Sequence, residues 1–257
     1  MLPKDIYISL STKCSSIHAP SVIVISPHPD DDVIGMGGKM ALMAKSHKVI
    51  TLYMTDGCGS LRKDAKDQIS SKRKQEALSA LSIVGADGAF FLEARSSWLK
   101  QKGEEYQRLL LVIQEILQSI QPKEIYMTAP WEIHPTHLAS SQIVLDALPQ
   151  KEKISLYAYP VWGPILGKKL CYVDITEVIE TKQKAIQAHY GEVSYKPYHE
   201  GVLARNFYQA VFEDPHSVSK AKYREVFLDM SDIKTDLKQY AVKEAKEYVD
   251  TIFTTLS

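Results

Sequence analysis

The sequence predicts an α/β fold: a three-layer αβα sandwich built on a Rossmann-like, mostly parallel sheet. Three observations predict it. Short, β-branched apolar runs alternate with segments of helical spacing over most of the chain. The first of these runs, Val22-Ile23-Val24-Ile25, is apolar throughout, as a strand covered on both faces should be. With 257 residues, 45% of them hydrophobic, the chain has enough apolar surface to form one large domain.

The expected strands are 21–26, 48–55, 88–92, 124–129 and 154–160. Helical stretches fall between them at 33–46, 64–84, 103–120 and 136–148. The third shows the clearest period, with Leu109, Leu110, Val112, Ile113, Ile116 and Leu117 gathered on one side. Beyond residue 160 the pattern loosens. A strand near 170–174 precedes a helix over 176–189, and 190–216, which contains Tyr, Pro and His, reads as an irregular loop. Two helices, 219–229 and 234–253, close the chain. No repeat or linker interrupts it, so the expectation is a single domain over 1–257 with a helical elaboration from about 217.

Composition excludes several classes of function. Lys and Arg total 31, as do Asp and Glu, so the chain lacks the basic footprint of a nucleic-acid binder. No run approaches the ~18 apolar residues of a membrane span. Met1-Leu2-Pro3-Lys4-Asp5 lacks the basic-then-apolar order of a signal peptide. Cys14, Cys58 and Cys171 are too scattered for a disulfide framework or a thiolate metal site, and the expected compartment is the cytoplasm.

Chemistry concentrates at two strand ends. Ser26-Pro27-His28-Pro29-Asp30-Asp31-Asp32 directly follows the first apolar run. Three carboxylates at the mouth of a buried strand repel one another and are costly to desolvate; a bound cation relieves both penalties. In a doubly wound sheet, ligands bind beyond the carboxyl ends of the strands, near a switch in strand order. A second His-Pro, in Trp131-Glu132-Ile133-His134-Pro135-Thr136-His137, follows the strand that begins at Glu124. His28, Asp31 and His137 then form a 2-His-1-carboxylate set, which suits zinc with an open position and equally Fe2+. Neighbouring carboxylates diverge, which leaves one free to handle a proton. Gly35, Gly37 and Gly38 allow close approach of the backbone to a strand or a ligand.

These motifs resemble the PIG-L (LmbE-like) family of zinc-dependent N-acetylglucosaminyl de-N-acetylases. That family carries His-Pro-Asp-Asp-Glu after its first strand and His-Pro-Asp-His further on. The matching residues here are His28 to Asp32 and His134 to His137. Thr55-Asp56-Gly57, Arg73-Lys74-Gln75-Glu76 with Ala80 and Gly85, and Asp174-Ile175-Thr176 with Lys182 or Lys184 and then His189 extend the resemblance over roughly 20–190. It implies Zn2+, or another divalent metal such as Fe2+, on His28, Asp31 and His137. Asp30 would be the general base, His134 an acid or oxyanion-stabilising imidazole, and Arg73 a substrate-contacting cation. Asp56, at a strand end, borders the substrate pocket or turns with Gly57.

The implied activity is removal of the N-acetyl group from an amino sugar or its conjugate. The partner is a small amino-sugar substrate, with a homo-oligomer left open. The alternatives are a sugar- or metal-binding member without turnover and an amidase acting on another conjugate. Two departures from the family pattern stand out. Asp32 replaces Glu, and Thr136 replaces the Asp between the two histidines. Losing that Asp should make His134 harder to protonate unless Glu132 takes its place. Lys182 and Lys184 read as exposed helix charges.

Overall fold

Strand order in the sheet brings the two motif loops side by side. In this computed structural model, residues 7–10, 19–60, 64–148, 154–212, 220–233 and 237–255 are described. Cys14 and the first residues of the expected C-terminal elaboration, 217–219, lie outside them. In chain order the elements are β1 (Tyr7–Ser9), β2 (Ser21–Ser26), α1 (Asp31–Met43), β3 (Lys48–Thr55), α2 (Lys66–Val84), β4 (Gly88–Ala94), α3 (Ser96–Lys100), α4 (Glu104–Ile120) and β5 (Glu124–Thr128). There follow α5 (Pro135–Ala147), β6 (Ser155–Tyr159), β7 (Leu170–Asp174), a 3-10 turn (Thr176–Val178) leading into α6 (Ile179–Gln187), α7 (Tyr190–Val193), α8 (Tyr198–Phe212), β8 (Arg224–Asp229) and α9 (Leu237–Thr255).

The strands form one sheet in the order β1-β4-β3-β2-β5-β6-β8-β7. Its middle, β4-β3-β2-β5-β6, is parallel; β1 joins one edge antiparallel, and β8 runs antiparallel to both β6 and β7. From β2 the chain moves out to β3 and β4, then returns to β5 on the other side of β2. The order therefore switches between β2 and β5, where an open α/β sheet leaves its ligand crevice. The register Val22↔Glu124, Ile23↔Ile125 and Val24↔Tyr126 lets the loops after both strands leave the same edge together.

Alternation along the buried strands feeds two apolar layers. Ile23, Ile25, Leu52 and Met127 face a layer that includes Ile113, Ile143 and Tyr240 from α4, α5 and α9. Val22, Val24, Val49 and Tyr126 face the other, with Met36, Leu81 and Ile186 from α1, α2 and α6. Gly85 ends α2 in the left-handed region (φ 78°), as a glycine there can without strain.

Helix α1 is broken. Met36 (φ −143°, ψ 23°) separates two helical pieces, and Gly35 lies so close to the Tyr159 ring that a Cβ would fall 2.1 Å from Cδ2. The second piece begins with exposed donors that need partners. The Glu225 carboxylate of β8 provides them, accepting Gly38 N–H at 2.9 Å and Lys39 N–H at 2.7 Å. Lys182 Nζ donates to the same carboxylate at 2.6 Å. Lys182 is thus fully buried, contrary to the expectation of an exposed helix charge.

Two further expectations are overturned. The segment 190–216 is not an irregular loop: α7 and α8 occupy most of it. The expected helix at 219–229 is the strand β8, inserted between β6 and β7. Its residues Arg224 to Leu228 are buried without alternation, because partners on both sides and layers on both faces cover them. Pairing with distant strands, not local propensity, decides such a segment. The C-terminal elaboration is therefore mixed, with α9 as its terminal helix. The short elements β1 and α3 went unmarked in the sequence. Among the described residues no helix is long and apolar enough to cross a membrane.

Candidate active site

The three consecutive aspartates point to three different tasks. Asp32 turns into the core, fully buried, where Oδ2 accepts Tyr53 Oη–H at 2.7 Å and its backbone N–H donates to Ser26 Oγ at 3.1 Å. Burial pushes its pKa up to about 7, against the hydrogen bond from Tyr53. Ser26 Oγ in turn donates to His28 O at 2.6 Å, which stiffens the loop.

Asp31 faces the histidines. Its Oδ2 accepts the backbone N–H of His28 at 2.9 Å and lies 3.0 Å from His28 Nδ1 and 3.1 Å from His137 Nε2. The two ring nitrogens are 3.2 Å apart. Burial alone would raise the Asp31 pKa, but His137 and His28 outweigh it and hold the carboxyl well below its usual range. Behind His137, Glu132 Oε2 sits 3.1 Å from Nδ1. Glu132 Oε1 also accepts N–H groups from Val161 (2.6 Å), Trp162 (3.1 Å) and Gly163 (3.2 Å). A carboxylate on the far nitrogen orients a metal-binding imidazole and keeps the near nitrogen's lone pair free. Burial opposes protonation of His137, yet Asp31 and Glu132 together raise its pKa to about 10 in the absence of a metal.

Asp30 goes to Arg73. Its Oδ1 pairs with Arg73 Nη2 at 2.8 Å, and among the described residues Oδ2 has no partner. Burial raises the Asp30 pKa to about 6, with Arg73 opposing. His28, Asp30, Asp31 and Arg73 all line one cavity of about 830 Å³. Asp56 lines it too while its Oδ1 accepts Cys58 N–H at 3.0 Å, so it borders the pocket and forms the turn at once.

With this geometry in hand, similarity to known proteins becomes informative. The family model for GlcNAc-PI de-N-acetylase (PIG-L) matches residues 23–148. Over that stretch, just under half of its length, the chain is similar to the PIG-L family. It is 29% identical over 182 residues to a probable N-acetyl-alpha-D-glucosaminyl L-malate deacetylase 2 of Bacillus subtilis (strain 168), covering 65% of this chain and 81% of the relative. The N,N'-diacetylchitobiose deacetylase of Pyrococcus horikoshii superposes with a TM-score of 0.66 at 21% identity, over 86% of this chain and 88% of that one. GalB, the 4-carboxy-2-hydroxymuconate hydratase of Pseudomonas putida KT2440, shares the fold as closely, with a TM-score of 0.66 at 19% identity over 82% of this chain and 96% of its own. The fold alone therefore does not name the reaction.

In this chain the second motif behaves differently from the expectation. Glu132 does not substitute for the missing Asp beside His134; it serves His137. Among the described residues, the buried His134 Nδ1 and Thr136 hydroxyl have no hydrogen-bond partner. Burial, with His28 and His137 nearby, pushes the His134 pKa down to about 4, so the ring is neutral. The rings of His28 and His134 meet edge-on at 4.9 Å.

Arg73 is buried rather than presented to solvent. Besides Asp30 it donates from Nη1 to Gly57 O at 3.1 Å and from Nη2 to Pro29 O at 3.4 Å. Its Nη1 also faces Glu192 Oε1 at 3.6 Å. Glu192 accepts from Ser60 Oγ at 2.9 Å, and Tyr195 Oη donates to its other oxygen. One turn along α2, Glu76 Oε1 accepts Gly191 N–H at 3.2 Å, so both ends of the Arg-x-x-Glu motif grip α7. Glu192 stands in no motif of the sequence, and Tyr195 stands out only as one of a dense set of aromatics that packing explains as readily as a sugar site. The Arg-x-x-Glu spacing gives no hint of the distant helix it holds.

Proposed function

We propose that this chain is a zinc-dependent amidohydrolase that removes the N-acetyl group from an amino sugar or its conjugate. One observation carries this reading: the triangle of Asp31 Oδ2, His28 Nδ1 and His137 Nε2, with sides of 3.0, 3.1 and 3.2 Å. Donors about 2.0–2.1 Å from one zinc ion stand roughly 2.9–3.4 Å apart at octahedral to tetrahedral angles, so the triangle fits a divalent ion. Two imidazoles and a carboxylate suit Zn2+ and equally Fe2+. The three histidines His28, His134 and His137 also lie together, but their ligand atoms spread to as much as 4.8 Å, which leaves His134 to face the substrate. When bound, the ion supplies Lewis acidity toward a water and a carbonyl oxygen.

The remaining work falls to the chain's own side chains. Asp30 Oδ2 accepts the proton of the attacking water and returns it to the departing nitrogen. Arg73 holds Oδ1 and keeps the carboxylate from rotating away. His134, neutral, offers a hydrogen bond to the acyl oxygen as that oxygen gains charge. The amide C–N bond breaks, the water oxygen ends in acetate, and the amine leaves with the proton.

Names of relatives support the substrate class, since they refer to a glucosaminyl malate and a diacetylchitobiose. A second reading, a member that binds metal and sugar without turnover, is favoured by the Thr136 hydroxyl and the His134 Nδ1, neither of which has a hydrogen-bond partner among the described residues. Metal analysis with an acetate-release screen over free N-acetylglucosamine, its α-linked conjugates and chitin oligomers separates the two. Bound zinc with acetate release from at least one substrate is expected. Bound zinc without release favours the binding member, and protein that takes up no metal overturns both.

A further inference from the structure

Beside the main cavity lies a second chamber of about 400 Å³. Ile34, Trp162, Lys196 and Tyr198 line both spaces, so the chamber is a side arm of the same cleft. Beyond this junction its walls are mostly apolar, formed by Val161, Pro197 and Val202, with Glu200 also on the lining. Arg205, which also borders it, donates to Val161 O at 2.8 Å and Ile34 O at 3.2 Å. Lys196 Nζ rests over the Trp162 ring at 4.4 Å. Trp162 nevertheless remains 42% exposed, unusual for so large an apolar ring at the edge of a pocket.

Water in such a chamber finds few polar partners, and an apolar group displaces it with gain. An amino sugar carries polar groups around nearly its whole rim and does not match these walls. We propose that the chamber binds an apolar segment of the substrate, an aryl or alkyl group attached to the amino sugar. The proposal rests on the amidohydrolase reading for the identity of the sugar. Such a group has two sources with the same chemistry: the aglycone, or an acyl chain longer than acetyl.

Gly201 offers a clean probe. It borders the chamber, and a Cβ built there meets nothing within 4 Å, so Gly201→Phe adds a ring at the chamber's rim without a backbone clash. The experiment compares kcat/KM of zinc-loaded protein on methyl N-acetylglucosaminide, benzyl N-acetylglucosaminide and methyl N-octanoylglucosaminide. Wild type should prefer one apolar substrate over the first by about tenfold, mostly through KM, and Gly201→Phe should bring that ratio to about one. A gain with the benzyl compound assigns the chamber to the aglycone, and a gain with the octanoyl compound assigns it to the acyl chain. Equal values for all three in wild type, or a ratio that survives Gly201→Phe, overturns the proposal. Should none be hydrolysed, the amidohydrolase reading fails, and calorimetry with the same compounds still decides. Tighter binding of an apolar compound, abolished in Gly201→Phe, upholds the chamber; equal binding overturns it.

Discussion

Glu132→Gln should weaken metal binding while the fold persists. The wild-type carboxylate has only acceptor atoms, and four N–H donors converge on it: His137 Nδ1 at 3.1 Å and the backbone of Val161 (2.6 Å), Trp162 (3.1 Å) and Gly163 (3.2 Å). With a metal held at Nε2, His137 would keep its one remaining proton on Nδ1, facing Glu132. Glutamine replaces one acceptor oxygen with a donor. Turned toward His137, the amide drives the ring proton to Nε2, the atom that must bind the metal. Turned the other way, it sets a donor against three backbone N–H groups. Loss of such an outer partner typically costs 10–100-fold in metal affinity, about 1.4–2.7 kcal/mol. The assay is competition with a chromophoric zinc chelator at neutral pH, alongside circular dichroism to verify folding. Zinc affinity in folded Glu132→Gln within about twofold of wild type would refute this account of His137.

Asp30→Ala should keep stoichiometric metal and lose about 10²–10⁴-fold in turnover, whereas His137→Ala should lose the metal itself; metal analysis with acetate release distinguishes them. Glu192→Gln should lower kcat about tenfold with metal retained, because Arg73 then keeps Asp30 as its carboxylate partner and loses the Glu192 charge that helps position it; steady-state kinetics showing a change in KM alone would argue against it. Lys182→Met leaves the buried Glu225 carboxylate without its cation and should cost about 3–5 kcal/mol, measured by urea denaturation. Burial lowers the Lys182 pKa to about 8, with Glu225 opposing. Between there and the unfolded value near ~10.4 the native state binds fewer protons, so the wild type's stability relative to Lys182→Met should rise with pH across that window.

The parallel half of the sheet was plain in the sequence because each of its strands is an apolar run set off by helical stretches. Val22 to Ile25 and Ile125 to Met127 needed no partner to be recognised. The C-terminal half was not plain, for a physical reason: β8 owes its form to β6 and β7 on either side. Its charged Arg224 and Glu225 look like a surface segment until Lys182 and the broken helix α1 are placed against them. The same holds in the site. His28, Asp31 and His137 could be proposed from two strand ends, since a doubly wound sheet collects such ends at its switch point.

Local chemistry thus specified the layered architecture and the list of polar groups at the crevice, because period and strand-end composition are properties of short stretches. Direction was left to the folded chain. Whether Asp30 meets Arg73, whether Glu132 backs His137 or His134, and that Glu192 steadies Arg73 from α7 all depend on residues far apart in the chain. Such contacts follow from strand register and helix packing, which no local pattern encodes.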